Sequence, residues 1–248
     1  VEALEQACKK NKLAELPGFG AKTETKILEG IEFRRNYASH HHISAALLLA
    51  EPILEELRSH HDVIRCSTAG SLRRHKEIIR DIDFLVSSRS PETVIDFFTS
   101  QSGIISISAK GDTKASVILE GGIQGDLRVV NDEEYPFAQA YFTGSKEHNI
   151  GMRQRAIARG LRLNEYGLFK CKEETRDPKL RIDCKTEEDI FEALGLDYIP
   201  PELREDKGEF EAGESQSIPR LIEWTSLKGS LHNHSNWSDG NESLEEIA

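Results

Sequence analysis

The chain has 248 residues, 30% charged and 38% hydrophobic, with a formal net charge of −11. That length suits two or three modules rather than one compact domain, and the acidic balance excludes a uniformly basic nucleic-acid binder. Cys8, Cys66, Cys171 and Cys184 have no paired spacing, so neither a disulfide framework nor a zinc site is indicated, and without a signal-like or long apolar run the expectation is a soluble cytoplasmic protein with no membrane partner.

The charge is unevenly placed. Residues 65–80 hold Arg65, Arg73, Arg74, Lys76 and Arg80 against Glu77. Residues 146–162 hold Lys146, Arg153, Arg155, Arg159 and Arg162 against Glu147, while residues 187–214 are strongly acidic. Basic patches with acid held elsewhere fit an enzyme acting on DNA.

In chain order, residues 2–33 read as two or three short helices around Leu16-Pro17-Gly18-Phe19-Gly20-Ala21-Lys22-Thr23. A Gly-x-Gly turn opening a helix exposes backbone N–H groups at a positive dipole end, which suits a DNA phosphate. The stretch resembles a helix-hairpin-helix motif, with Gly18, Gly20, Lys22 and Thr23 as the DNA-contacting residues and a monovalent cation as a further expectation there. Residues 43–59 read as an amphipathic helix through Ala46, Leu47, Leu49, Leu54 and Leu57, and His40, His41 and His42 as its solvated start.

Residues 63–69 read as a strand into Gly70-Ser71-Leu72-Arg73-Arg74, a turn able to offer backbone N–H groups, a hydroxyl and two guanidinium groups to a polyphosphate. Residues 82–86 read as a buried strand, 91–101 as a helix, and 104–109, 114–119 and 123–130 as short strands. A small, mostly antiparallel sheet with helices on one side is expected. Side chains alternate along a strand, so Asp81 and Asp83 share one side. Two carboxylates on one face resist joint ionisation unless a cation lies between them. Asp126 opens another apolar strand and supplies a third. Hard divalent cations take carboxylate oxygens together with substrate phosphates.

Gly-Ser-x-Arg-Arg, then Asp-x-Asp, then a distant Asp resembles the palm of the nucleotidyltransferase superfamily, and more narrowly the family X DNA polymerases. Tyr141-Phe142-Thr143-Gly144-Ser145, followed by Asn149 and Arg153 one helical turn apart, is similar to that family's nucleotide-selecting segment, and Asn164-Glu165-Tyr166 to its next strand. The resemblance implies Mg²⁺ or Mn²⁺ held by Asp81, Asp83 and Asp126, with Asp126 also activating the primer 3′-hydroxyl. It implies Gly70, Ser71, Arg74 and Arg80 at the triphosphate, Tyr141, Phe142, Gly144 and Asn149 at the nucleotide, and Arg128, Arg153 and Tyr166 at DNA. One departure stands out: Ile79-Arg80 replaces the glycine that usually precedes Asp-x-Asp.

Leu231-His232-Asn233-His234, then Ser238-Asp239-Gly240, resembles the first motif of the polymerase-and-histidinol-phosphatase (PHP) domain. It implies His232, His234 and Asp239 as Zn²⁺ or Mn²⁺ ligands in a parent protein of which this chain is read as a fragment, truncated at both ends. The expected class is α+β: a helix-hairpin-helix domain at 1–60, a palm at 61–136, a thumb at 137–205, a linker at 206–226 and the start of a PHP domain at 227–248. The function implied is gap-filling DNA synthesis by a monomer on gapped or primed duplex DNA with dNTP, the parent adding PHP-type phosphoester hydrolysis. The alternatives are a non-templated nucleotidyltransferase, or a DNA-binding scaffold whose site Arg80 impairs.

Overall fold

A computed structural model describes residues 1–13, 16, 19–36, 40–171, 173, 175–229 and 231–247, leaving aside the side chains of 33–36 and 224. The chain divides into two units, Val1–Ser217 and Ile218–Ala248. The first opens with α1 (Glu2–Lys9) and α2 (Ala21–Asn36). The Glu24 carboxylate on α2 accepts from the Leu13 N–H at 2.9 Å, fastening the turn between them.

A short strand β1 (His41–His42) leads into α3 (Ile43–Ser59), then β2 (Val63–Thr68), a single turn α4 (Gly70–Arg73), β3 (Ile78–Ile79) and β4 (Asp81–Ser88). The histidines are therefore not merely a solvated helix start: β1 pairs with β3, and the His42 ring caps α3 by accepting from the Ser44 N–H. Next come α5 (Pro91–Thr99), β5 (Ile104–Lys110), β6 (Lys114–Leu119) and β7 (Gln124–Val130). Pro91 suits the first turn of α5, where its missing N–H costs nothing.

Five strands form one sheet in the order β2-β4-β7-β6-β5. Three of its four strand pairs are antiparallel, as expected, and the β4–β7 pair is parallel; the departure from the expectation is that helices lie on both faces. Alternation decides what each face carries. Ile82, Phe84 and Val86 of β4, with Leu127 and Val129 of β7, enter a core closed by Ala46, Ala50, Ile53, Leu54 and Leu57 of α3 and Val94, Ile95 and Phe98 of α5. Each large side chain buried there contributes roughly 1.5–3 kcal/mol. On the opposite face Leu85 is covered by Tyr135 and Ala138 of α6 (Tyr135–Thr143), while Asp81 and Asp83, four and two residues before it, remain uncapped by that cluster.

The chain continues through α7 (Lys146–Ala158), the hairpin β8 (Arg162–Asn164) and β9 (Gly167–Phe169), α8 (Glu187–Ala193) and α9 (Glu209–Glu214). A Thr186–Asp189 capping box starts α8. Within the expected linker, residues 209–214 are thus helical, because Glu209 and Phe210 find partners on α7. Among the described residues, no helix is long and apolar enough to cross a membrane. The second unit holds a turn closed by Asn236 N–H to the Glu242 carbonyl at 2.8 Å, then α10 (Leu244–Ile247).

Candidate active site

Register brings the carboxylates together. Asp83 is the direct partner of Asp126 across the parallel β4–β7 pair, and Asp81 lies two residues earlier on the same face. Asp81 is exposed, whereas Asp83 and Asp126 are half-buried. Burial, and then the charges of Asp81 and Asp126, push Asp83 up to about 7, against the opposing pull of Arg74 and Arg128. A carboxyl whose ionisation is opposed by burial and by like charges is a site that a divalent cation relieves, so the donor set fits a hard metal ion.

Asp126 is oriented by neighbours that the sequence reading passed over. Ser116 Oγ, on the adjacent antiparallel strand β6, donates to one of its oxygens, and Gln124 Nε2 donates to the other at 2.8 Å. Gln124 stands two residues before Asp126, so strand alternation alone could have flagged it. Ser116 needed the cross-strand register.

The Gly70-Ser71 turn abuts this cluster. Gly70 has φ +57°, and a Cβ there would lie 2.0 Å from Asp83 Oδ2, so only glycine fits. The Ala69 N–H donates to the Asp83 carbonyl at 2.8 Å, pinning the turn to β4. The two arginines that follow, expected to supply charge to a polyphosphate, both carry carboxylate partners within the chain. Arg73 donates to Thr143 Oγ1 and to Glu187, a buried carboxylate that also holds the fully buried Arg204. Glu187 is held down to about 2; burial opposes this, but Arg73 and Arg204 outweigh it. Arg74 donates from Nε to Glu205 at 2.9 Å and from Nη1 to the Thr143 carbonyl, and Lys76 approaches the same Glu205 carboxylate at 3.3 Å.

A cleft of about 120 Å³ beside the carboxylates is lined by Ala69, Asp83, Lys114, Asp126, Arg128 and Phe142, among others. The Arg128 guanidinium lies 4.5 Å over the Phe142 ring, and Tyr141 packs edge-on against Phe142. Gly144 has φ +68° and precedes a cis peptide to Ser145. Asn149 Nδ2 donates to the Tyr141 carbonyl at 2.7 Å, which joins α7 to the end of α6, and Arg153 is exposed one turn further on.

The remaining expected residues lie apart. Arg80 is exposed and donates to the His40 ring at 3.2 Å. Tyr166 sits in the β8–β9 turn rather than in a strand, with Arg176 stacked 3.6 Å over its ring. Gly18 lies outside the described residues. Gly20 and Lys22 are exposed at the start of α2, where the Thr23 N–H donates to the Gly20 carbonyl at 2.8 Å. In the second unit the His232 and His234 rings are 5.0 Å apart, and His234 Nδ1 hydrogen-bonds Asp239.

Comparison with known proteins bears on this arrangement. A family model described as the DNA polymerase beta thumb matches residues 138–205. The chain is 41% identical over its whole length to DNA polymerase/3′-5′ exonuclease PolX of Bacillus subtilis, of which it spans 42%. It is 30% identical over 141 residues to the Repair DNA polymerase X of an African swine fever virus isolate, covering 54% of this chain and 78% of that protein. In fold it is similar to a Leishmania infantum polymerase beta structure described as a ternary gap complex, with a TM-score of 0.58 at 22% identity, covering 82% of this chain and 80% of that one.

Proposed function

The chain belongs to the family X DNA polymerases, and we propose from this that it fills short gaps in DNA by templated nucleotidyl transfer from dNTP to a primer 3′-hydroxyl. The observation that carries the reading is the Asp83–Asp126 pair, with Asp81 on the same face and the Gly70-Ser71 turn against Asp83. We read residues 61–136 as the palm and 137–205 as the thumb.

Asp81, Asp83 and Asp126 are the residues that would hold Mg²⁺ or Mn²⁺. When bound, such ions neutralise charge on the triphosphate and ease loss of the 3′-hydroxyl proton. Asp126 would take that proton, its carboxylate held by hydrogen bonds from Ser116 and Gln124. The primer 3′-oxygen forms the new bond to the α-phosphorus, the bond to the bridging oxygen breaks, and pyrophosphate leaves. Ser71 and Arg74 take the leaving phosphates. Tyr141 and Phe142 pack against the sugar, Asn149 meets the base and Arg153 the template. The hairpin around Gly20, Lys22 and Thr23 grips the DNA backbone without reading sequence. In the whole protein, His232, His234 and Asp239 would ligate metal for phosphoester hydrolysis.

The test is extension across a one-nucleotide gap with each dNTP offered singly against each templating base. Addition of only the matched nucleotide is the expected result. Addition regardless of template would replace this reading with a non-templated transferase.

A further inference from the structure

Gly151 stands in the middle of α7, where glycine costs about 1 kcal/mol relative to alanine. The reason lies on α9: a Cβ at Gly151 would meet Phe210 Cε2 at 2.5 Å. Phe210 also stacks on His148, with centroids 4.9 Å apart and planes 12° from parallel. Beside it, the buried Glu209 carboxylate hydrogen-bonds His148 Nδ1 at 2.9 Å and accepts the Asp206 and Lys207 N–H groups at 2.7 and 2.6 Å. The contacts continue at both ends of α7. The Arg204 carbonyl accepts the Ser145 N–H at 3.0 Å, and Glu214 pairs with Arg155.

Ser145, His148, Gly151 and Arg155 are spaced three or four residues apart and form one stripe along α7. Asn149 and Arg153 form a second stripe, rotated away from the first. One face of α7 is therefore given to residues 204–214, and another carries the two side chains assigned to base and template.

We propose that residues 204–214 form a strap that positions α7 for nucleotide selection, with Glu209 and Phe210 as its positioning residues. The match to the polymerase beta thumb ends at residue 205, so most of the strap lies beyond it. The inference rests on the templated-polymerase reading. The strap touches neither nucleotide nor DNA; it sets the angle of the helix that does.

The experiment is single-turnover filling of a one-nucleotide gap by the full chain, with correct and incorrect dNTP titrated separately. The variants are Glu209→Ala, Glu209→Gln and Gly151→Ala, and gapped-DNA affinity is read by fluorescence anisotropy. Small displacements of a positioned group carry large kinetic effects, so Glu209→Ala and Gly151→Ala are expected to weaken correct-dNTP binding and reduce discrimination by about tenfold each. DNA affinity and the maximal rate at saturating correct dNTP should stay within about twofold, and Glu209→Gln, which keeps one acceptor oxygen for His148 and the Asp206 N–H but loses the acceptor for the Lys207 N–H, should recover part of the loss. Gly151→Ala raises helix propensity, so it decides the matter if Glu209→Ala does not fold. Discrimination unchanged in the folded variants, or selection, rate and DNA affinity falling together, overturns the strap. A wild-type chain that adds nucleotide without regard to template overturns the functional reading itself.

Discussion

Asp83 of β4 and Asp126 of β7 stand directly abreast across a parallel strand pair, on the face opposite the main core. Asp83 is largely withdrawn from water and faces like charges on Asp81 and Asp126, so its proton is retained up to about pH 7. The folded state therefore binds a proton that the unfolded chain releases near its ordinary value of 3.8. This group's contribution to metal-free stability falls as pH rises from about 4 through 7. A divalent cation binds the ionised form, so Mg²⁺ should raise the melting temperature more at pH 8 than at pH 6. Asp83→Asn should raise metal-free stability at pH 8 and remove the Mg²⁺ response. Thermal melts at the two pH values, with and without Mg²⁺, check both.

Glu187 is the buried anion between Arg73 and Arg204. Removing one partner from such a group leaves charge uncompensated inside the protein, at a cost of about 3–5 kcal/mol. Glu187→Ala should therefore be among the most destabilising single changes in the thumb. Its pKa lies below the ordinary value, so its stabilisation is complete above about pH 4.5 and lost as pH falls towards 2. Urea unfolding of wild type and variant at neutral pH measures the difference.

Glu205 pairs with both Arg74 and Lys76, and Arg74 is the residue proposed to take the leaving phosphates. Glu205→Gln removes the competing charge and should tighten metal-dependent dNTP binding, whereas Arg74→Ala should weaken it by about tenfold, the effect of losing one charge-assisted bond. Titration with inorganic triphosphate separates phosphate contacts from contacts to the base.

Gly70→Ala places a methyl group on Asp83 at a backbone angle that favours glycine. It should abolish incorporation while leaving gapped-DNA affinity close to wild type, as anisotropy would show.

Much of this site was legible in the sequence because strand alternation is a local rule. The apolar run broken only by Asp83 placed the strand, and the two-residue spacing placed Asp81 beside it. Legibility failed where partners are distant. Glu187 and Glu205 lie more than a hundred residues from Arg73 and Arg74, inside an acidic stretch whose composition resembles a solvated surface. Ser116 is an ordinary polar residue of β6 until the antiparallel register sets it opposite Asp126. In sequence α9 resembles a linker because its Gly-, Glu- and Ser-rich surroundings carry little apolar periodicity; packing against α7, not propensity, holds it.

The most direct measurement is single-turnover gap filling by Asp126→Ala and Asp126→Asn beside wild type, at saturating matched dNTP and Mg²⁺. Both variants should retain gapped-DNA binding and lose about a thousandfold or more in rate, as expected when a group acting in the transition state is removed. Near-wild-type incorporation by either variant would contradict the assignment of the chemistry to the β4–β7 carboxylates.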